Sequence, residues 1–158
     1  LIIRWLYSHN LIGRIHMSGL DNALDNLIGK RSDELLSVVR IVTAFLYMLH
    51  GTIKMFGFPN EAGREYILMS LNPGLSGVLE IFGGLLLLLG LFTRPVAFVL
   101  SGHMAFAYWM SHAFREGGSF LFPVTNGGDA AVLYCFVFLY IAAVGGGRWS
   151  LDKMMSKN

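Results

Sequence analysis

Apolar and polar positions divide the chain into four long apolar segments with short polar breaks between them. The segments are residues 35–58, 75–92, 95–114 and 129–144. A helix of roughly 17–25 apolar residues crosses the hydrocarbon core of a bilayer. The breaks are rich in glycine and proline, which end helices. The pattern therefore predicts an all-α fold, a four-helix transmembrane bundle that occupies residues 34–152.

Residues 1–33 show a different pattern, in which apolar residues recur at helical spacing with polar residues between them. The apolar positions are Leu20, Leu24, Leu27 and Ile28, and the polar ones are Asp21, Asp25 and Asn26. This spacing predicts an amphipathic segment that lies on the membrane surface or docks against a partner. Ser32 and the acidic residues after it predict the start of the first bundle helix. Residues 61–66 are expected to form a short loop helix, and residues 153–158 a basic cytoplasmic tail.

Composition supports a membrane protein. Charged residues make up 14% of the chain, whereas soluble domains carry about 25%. The formal net charge of +2 gives no reason to expect nucleic acid as a partner. The single cysteine, Cys135, excludes an intrachain disulfide. The chain has no helix-borne motif for a metal, so no metal site is expected.

The distribution of basic residues predicts the orientation of the bundle. If the four segments span, nine Lys and Arg residues lie on the side of the termini and three on the other side. Arg40 counts among the nine. Basic residues are enriched on the cytoplasmic side. We therefore expect both termini in the cytoplasm, N-in and C-in.

Glu80 lies inside the second apolar segment, and an ionisable residue at that depth is expensive and marks a functional site by default. At about 1.5 Å per residue, Lys54, His112 and Asp129 fall at a depth similar to that of Glu80, in the outer half of the bundle. Each helix is expected to turn a small or polar stripe inward. The stripes are Thr43, Tyr47, Gly51 and Lys54; Gly77, Glu80 and Gly84; Ser101, Ala105, Tyr108 and His112; and Asp129, Leu133, Phe136 and Tyr140.

Such a site suits proton-coupled chemistry on a flat apolar ring. Lys54 and Glu80 can pair, and Glu80 and Asp129 can exchange protons. These three residues are the candidate catalytic groups, and quinone is the candidate cofactor. The candidate pocket residues are His50, His112, Tyr47 and Trp109. The alternative interpretation is a Lys–Glu pair that only holds the bundle together. His9, His16 and His103 are interpreted as packing or surface residues.

Five short motifs, in order, resemble the DoxX family of four-helix integral membrane proteins. They are Gly51-Thr52-Ile53-Lys54, Glu80-Ile81-Phe82-Gly83-Gly84, Gly90-Leu91-Phe92-Thr93-Arg94, Asn126-Gly127-Gly128-Asp129, and Gly145-Gly146-Gly147-Arg148-Trp149-Ser150-Leu151-Asp152. The resemblance covers residues 36 to 152. It adds Arg94 and Asn126 to the positions of interest, with Asn126 in the speculative quinone or lipid pocket. The family usually has Glu where this chain has Asp129.

The resemblance implies a multi-pass protein of the bacterial cytoplasmic (inner) membrane. Members resemble the small membrane subunit of thiosulfate:quinone oxidoreductase, so the leading hypothesis is the membrane subunit of a quinone-linked oxidoreductase complex. Its partners would be the lipid bilayer and other subunits of that complex. The alternative is a non-catalytic accessory or scaffold subunit of a larger assembly, which the amphipathic N-terminal segment favours. A small-solute transporter is a weaker third hypothesis, because broken helices and inverted repeats are not evident.

Overall fold

The computed structural model describes residues 19–59, 74–114 and 120–156, and the described chain is helical without a strand. These residues fall into two compact units divided between Ser32 and Asp33. Before the division lie helix α1, Gly19–Leu27, and a 3₁₀ turn, Gly29–Arg31. The amphipathic helix is therefore present, and every residue described from Asp21 to Arg31 is exposed. The predicted loop helix at 61–66, like His9 and His16, lies outside the described residues.

In the part of the chain described after the division, four long helices and two short ones follow. The long ones are α2, Ser32–Phe56; α3, Ser76–Leu89; α4, Thr93–Tyr108, which continues as a π-helical turn, Trp109–Ala113; and α6, Asp129–Val144. The short ones are α5, Pro123–Asn126, and α7, Leu151–Met155. The predicted start of the first helix at Ser32 is confirmed. Because α7 includes Lys153, the tail predicted for 153–158 begins as helix.

All four long helices contribute to one core. Its fully buried apolar side chains are Ala44, Leu87, Ala97, Leu100, Phe138 and Ile141. The surface around them is apolar as well, with Phe45, Phe98, Leu133 and Phe136 exposed. Among the described residues, Asp21–Phe56 is the one helical segment long and apolar enough to cross a membrane, and Ser76–Leu89 and Asp129–Val144 are apolar but shorter.

Glycines allow α2 and α3 to approach closely. A Cβ atom on Gly51 would lie 2.9 Å from the Cβ of Glu80 and 3.0 Å from the carbonyl oxygen of Gly77. Only a residue without a side chain fits a contact this short. The contact brings the last turn of α2, which carries Lys54, beside the turn of α3 that carries Glu80.

Successive long helices run in opposite directions, so the bundle has two ends. We call the end with the start of α2, the end of α3, the start of α4 and the end of α6 the Arg40 end. We call the opposite end, which holds the last turn of α2 and the first turn of α3, the Lys54 end.

Arg40 is fully buried and joins three chain segments at its end of the bundle. Its Nε donates to the carbonyl of Gly146 at 2.8 Å, and its Nη2 donates to that of Trp149 at 2.9 Å. Its Nη1 donates to the carbonyls of Leu87 and Leu88 at the end of α3. Arg40 thus lies at the end of the bundle on which it was counted, but it is buried and does not reach water. Without it, eight basic residues of the original nine face three, and the bias that predicts the orientation remains.

Asp152 closes the same end of the bundle. Its carboxylate accepts hydrogen bonds from the backbone N–H groups of Phe92 at 2.8 Å and Thr93 at 2.7 Å, which are free at the start of α4. Partial burial raises the pKa of Asp152, but the hydrogen bonds from Thr93 and Phe92 and the charge of Arg40 outweigh burial, so its pKa lies below the ordinary value. The Gly-Gly-Gly-Arg-Trp-Ser-Leu-Asp motif thus has a structural role as a clamp on the helix ends.

The inward face predicted for the fourth helix is wrong. Leu133, Phe136 and Tyr140 are exposed, as is Asp129, whereas Ala131, Phe138 and Ile141 face the core. Apolar residues surround this helix on every side, so its sequence contains no amphipathic signal to choose a face. The stripes predicted for the other three helices point inward, with Tyr47, Glu80 and Tyr108 buried.

Candidate functional site

An ion pair joins α2 to α3 near the Lys54 end. The Nζ of Lys54 lies 2.6 Å from the Oε1 of Glu80 and 3.2 Å from the Oγ of Ser76. The Lys54 side chain is 26% exposed and that of Glu80 only 2%. The Gly51 contact positions this pair, because it removes the space that would otherwise separate the two helices. The pairing predicted from the sequence is therefore present.

A second polar pair joins α2 to α4 deeper in the bundle. The hydroxyl of Tyr47 lies 2.8 Å from the Nδ1 of His103. Tyr47 is buried and packs edge-to-face on Phe138, with ring centroids 5.0 Å apart. His103, interpreted from the sequence as a packing or surface residue, therefore packs inside the bundle with Tyr47 as its partner. Its near-central position in the third apolar segment, at the depth of Tyr47, was the signal that could have identified it.

Both pairs line one cavity of about 620 Å³. This volume lies within the range of roughly 300–1,000 Å³ typical of small-molecule sites. The polar lining includes Tyr47, His50, Lys54, Ser76, Glu80, His103, Ser111 and His112. The apolar lining includes Leu75, Leu79, Met104, Phe106, Ala107, Met110, Ala130, Ala131 and Tyr134. The cavity is therefore an apolar chamber with ionisable groups on part of its wall.

Glu80 has one carboxylate oxygen that the bundle does not satisfy. Its Oε2 is buried and, among the described residues, accepts no hydrogen bond. Buried acceptors of this kind are costly and rare in folded proteins. Glu80 also lines the cavity, so this unsatisfied acceptor belongs to a residue of the cavity wall.

His112 and Asn126 close the bundle at the Lys54 end. The Nδ1 of His112 lies 3.2 Å from the carbonyl oxygen of Asn126. The buried Asn126 amide donates to the hydroxyl of Tyr108 at 3.3 Å, and that hydroxyl donates to the carbonyl of Phe120 at 2.6 Å. Asn126 Oδ1 accepts from the N–H of Gly128 at 2.9 Å, just before α6. Asn126 thus positions His112 and is not itself among the lining residues.

Of the remaining candidate residues, one lines the cavity and two lie outside its lining. His50 lines the cavity, with its Nδ1 3.0 Å from the Leu46 carbonyl of its own helix. Asp129 is exposed and outside the cavity lining, so the expected convergence of four ionisable groups holds for Lys54, Glu80 and His112 only. Trp109 is exposed as well and packs against Tyr108 and Phe114 instead of the cavity.

Arg94 is exposed and belongs to the opposite end of the bundle, in the first turn of α4. No group of three or more potential metal ligands occurs in the part of the chain that the structure describes.

The apolar cavity with the Lys54–Glu80 pair on its wall can hold a small molecule that has an apolar body and polar groups able to contact that pair.

An apolar exterior around buried polar side chains is the arrangement of a small helical membrane protein. A model of the DoxX family matches residues 35–113. An uncharacterized protein of Haemophilus influenzae is 41% identical over 138 residues, which cover 84% of this chain and 98% of that protein. Inner membrane protein YqjF of Escherichia coli K12 is 30% identical over 134 residues, 81% of this chain and 97% of YqjF. No solved structure matches. The chain belongs to the DoxX family of membrane proteins, which confirms the resemblance.

Proposed function

We propose that the chain crosses the bacterial inner membrane four times, with both termini in the cytoplasm. The exposed apolar surface, the opposite directions of successive helices and the basic bias toward the Arg40 end support this topology. The name of YqjF, an inner membrane protein, supports the compartment. The Arg40 end is then cytoplasmic, and the cavity opens toward the outer half of the bilayer.

The short helices fit this proposal with a modest mismatch. Helix α3 has 14 residues and α6 has 16, against about 20 for an average bilayer. The π-helical residues Gly74 and Leu75 extend the start of α3, and α5 precedes α6. Each ångström of mismatch costs only a fraction of a kcal/mol, because the bilayer thins locally.

Reporter fusions test this topology. Fusion of a cytoplasm-active reporter after Lys157 should give activity, and fusion of the same reporter between residues 60 and 73 should give none. An inactive C-terminal fusion together with an active fusion between residues 60 and 73 contradicts the proposal.

Within that topology, the cavity binds a quinone, and the protein is the membrane subunit of a quinone-linked oxidoreductase complex. The single observation that carries this proposal is the apolar cavity of about 620 Å³ with the Lys54–Glu80 pair on its wall. Apolar groups such as Met104, Met110 and Tyr134 suit a flat ring. A bound quinone supplies electron acceptance coupled to proton uptake.

The residues have distinct roles in this proposal. The ammonium of Lys54 donates to a ring oxygen, and Glu80 holds or moves a proton beside it. His103, fixed by Tyr47, orients the ring from the deeper side. Asp129 precedes the cavity residue Ala130 in the chain and is exposed, so it exchanges protons with water at the outer surface. Electrons come from a partner subunit on that side.

A second candidate function is a non-catalytic accessory or scaffold subunit. The exposed apolar residues of the N-terminal unit, Leu24, Leu27 and Ile28, favour it because such segments dock on lipid or protein partners. In this case the Lys54–Glu80 pair has a structural role only.

Purification from native membranes separates the two functions. The complex is isolated under mild conditions, its quinone is extracted and quantified, and co-purifying proteins are identified. Co-purified quinone and a redox partner support the first function. Glu80→Gln and Asp129→Asn should then lower quinone reduction while a native gel shows intact assembly. Glu34→Gln, which removes a carboxylate at the Arg40 end, is the matched control. Absence of quinone, with full assembly and activity in both variants, leaves the accessory function.

A further inference from the structure

Glu80, a residue of the cavity wall, has one carboxylate oxygen with a donor and one without. Lys54 supplies a donor to Oε1 at 2.6 Å, and Oε2 has no donor among the described residues. An ionised carboxylate can only accept hydrogen bonds. A molecule that fits this position must therefore bring a donor.

Several neighbouring polar groups of the cavity have partners within the bundle. The hydroxyl of Tyr47 is within hydrogen-bonding distance of His103, at 2.8 Å. His112 faces the Asn126 carbonyl at 3.2 Å, and the Nδ1 of His50 faces its own helix at 3.0 Å. Glu80 is the one carboxylate among the described lining residues, and its Oε2 has no donor there although Lys54 pairs with Oε1. Rotation of the carboxylate about its last side-chain bond would turn Oε2 toward the chamber that Glu80 lines.

We propose that the cavity recognises the hydroxyl-bearing, reduced form of its ring molecule, a quinol or related phenol, whose O–H donates to Oε2 of Glu80. This inference rests on the proposed quinone site and adds which redox form the site selects. A hydroxyl bound to a carboxylate forms a short charge-assisted hydrogen bond. A carbonyl in the same position would direct its lone pairs at the lone pairs of Oε2, leaving Lys54 as its partner. The step is binding alone, and no bond is made or broken.

Two probes that do not form a quinone/quinol couple isolate this contact. The compounds α-naphthol and α-tetralone share a two-ring skeleton and carry their oxygen on the same carbon, as a hydroxyl in one and a carbonyl in the other. Affinities for the full chain in lipid nanodiscs are measured by calorimetric titration. A hydrogen bond to a charged group predicts binding of the naphthol about tenfold to a hundredfold tighter.

The variant Glu80→Gln provides the second measurement. Lys54 retains the amide oxygen as its acceptor, so the amide NH₂ replaces Oε2, and a donor replaces an acceptor. The preference for naphthol should disappear or reverse toward tetralone. Glu34→Gln, the matched loss of one carboxylate at the Arg40 end, should keep the wild-type preference.

The results separate this inference from the function on which it rests. Equal affinity of the wild-type protein for the two probes, or tighter binding of tetralone, overturns the selection of the hydroxyl form and leaves a quinone site possible. Binding of neither probe overturns both. The comparison of probes on the wild-type protein needs no variant, so it decides the question even if Glu80→Gln does not fold.

Discussion

Replacement of Arg40 by methionine should destabilise the bundle more than any other single change at the Arg40 end. The guanidinium is fully buried and donates to carbonyls of the α3 end, of Gly146 and of Trp149. Methionine has a similar length and fills much of the space, but it donates no hydrogen bond. The segments that Arg40 holds together then lose their common donor.

The size of the effect follows from these contacts. Each buried acceptor left without its donor costs roughly 1–3 kcal/mol. The carbonyls of Gly146 and Trp149 both lose Arg40, while release of the buried charge returns part of the cost. The expected loss is about 3–5 kcal/mol of unfolding free energy. Arg40→Lys should lose less, because one ammonium keeps a donor but cannot reach both acceptor segments at once.

The assay is equilibrium unfolding in mixed detergent micelles with increasing SDS, followed by helical circular dichroism. Arg94→Met is the matched control, because Arg94 is an exposed arginine at the same end. It should stay within about 0.5 kcal/mol of the wild type. An Arg40→Met variant as stable as Arg94→Met would refute the clamp.

Three further predictions use the same unfolding assay. Glu80→Ala should cost up to roughly 3–5 kcal/mol because it strands the Lys54 charge, whereas replacement of both residues by methionine should cost less than the sum of the single losses; strict additivity would show that the pair is uncoupled. Gly51→Leu should cost roughly 1–3 kcal/mol or more from overpacking, since its Cβ would lie 2.9 Å from the Cβ of Glu80. Gly102→Leu is the control and should be neutral, because no heavy atom lies within 4 Å of its Cβ. Equal effects of the two substitutions would argue against the close approach of α2 and α3. The lowered pKa of Asp152 stabilises the fold above its unfolded-state pKa, and this stabilisation is lost as pH falls through the folded-state pKa. The unfolding free energy of Asp152→Asn should therefore depend less on acid pH than that of the wild type. Identical pH profiles would count against the role of Asp152 at the start of α4.

Local sequence patterns predicted the helices well. Long apolar segments interrupted by Gly and Pro gave boundaries close to those of α2, α3 and α4, and 129–144 coincides with α6. The Lys54–Glu80 pair was also predictable, because two opposite charges at one depth of adjacent helices have few other ways to be satisfied. Glycine spacing in α3 indicated the face that packs on α2.

The hydrogen-bond partners of Arg40 and His103 were not predictable from the sequence. Arg40 lies near the end of an apolar helix, where a basic residue usually reaches water, and its acceptors are backbone carbonyls that no sequence pattern marks. His103 depends on Tyr47, which lies 56 residues earlier in the chain. Asp129 was misplaced because the uniformly apolar α6 does not show which face turns inward. Trp109 was misplaced because it begins the π-helical turn after α4, where α-helical spacing no longer applies.

The sequence by itself determined the membrane class, the four apolar helices and the ionisable groups at the Lys54 end, because hydropathy and helix spacing are local properties of the chain. Only the tertiary structure decided how each helix is rotated, which histidine enters the cavity and which acceptors hold Arg40. When a helix is apolar on every side and its surroundings are apolar as well, the free energy of folding depends little on which face is buried. Helix rotation is then set by close packing at glycines and by buried hydrogen bonds between distant residues, and these exist only in the folded bundle.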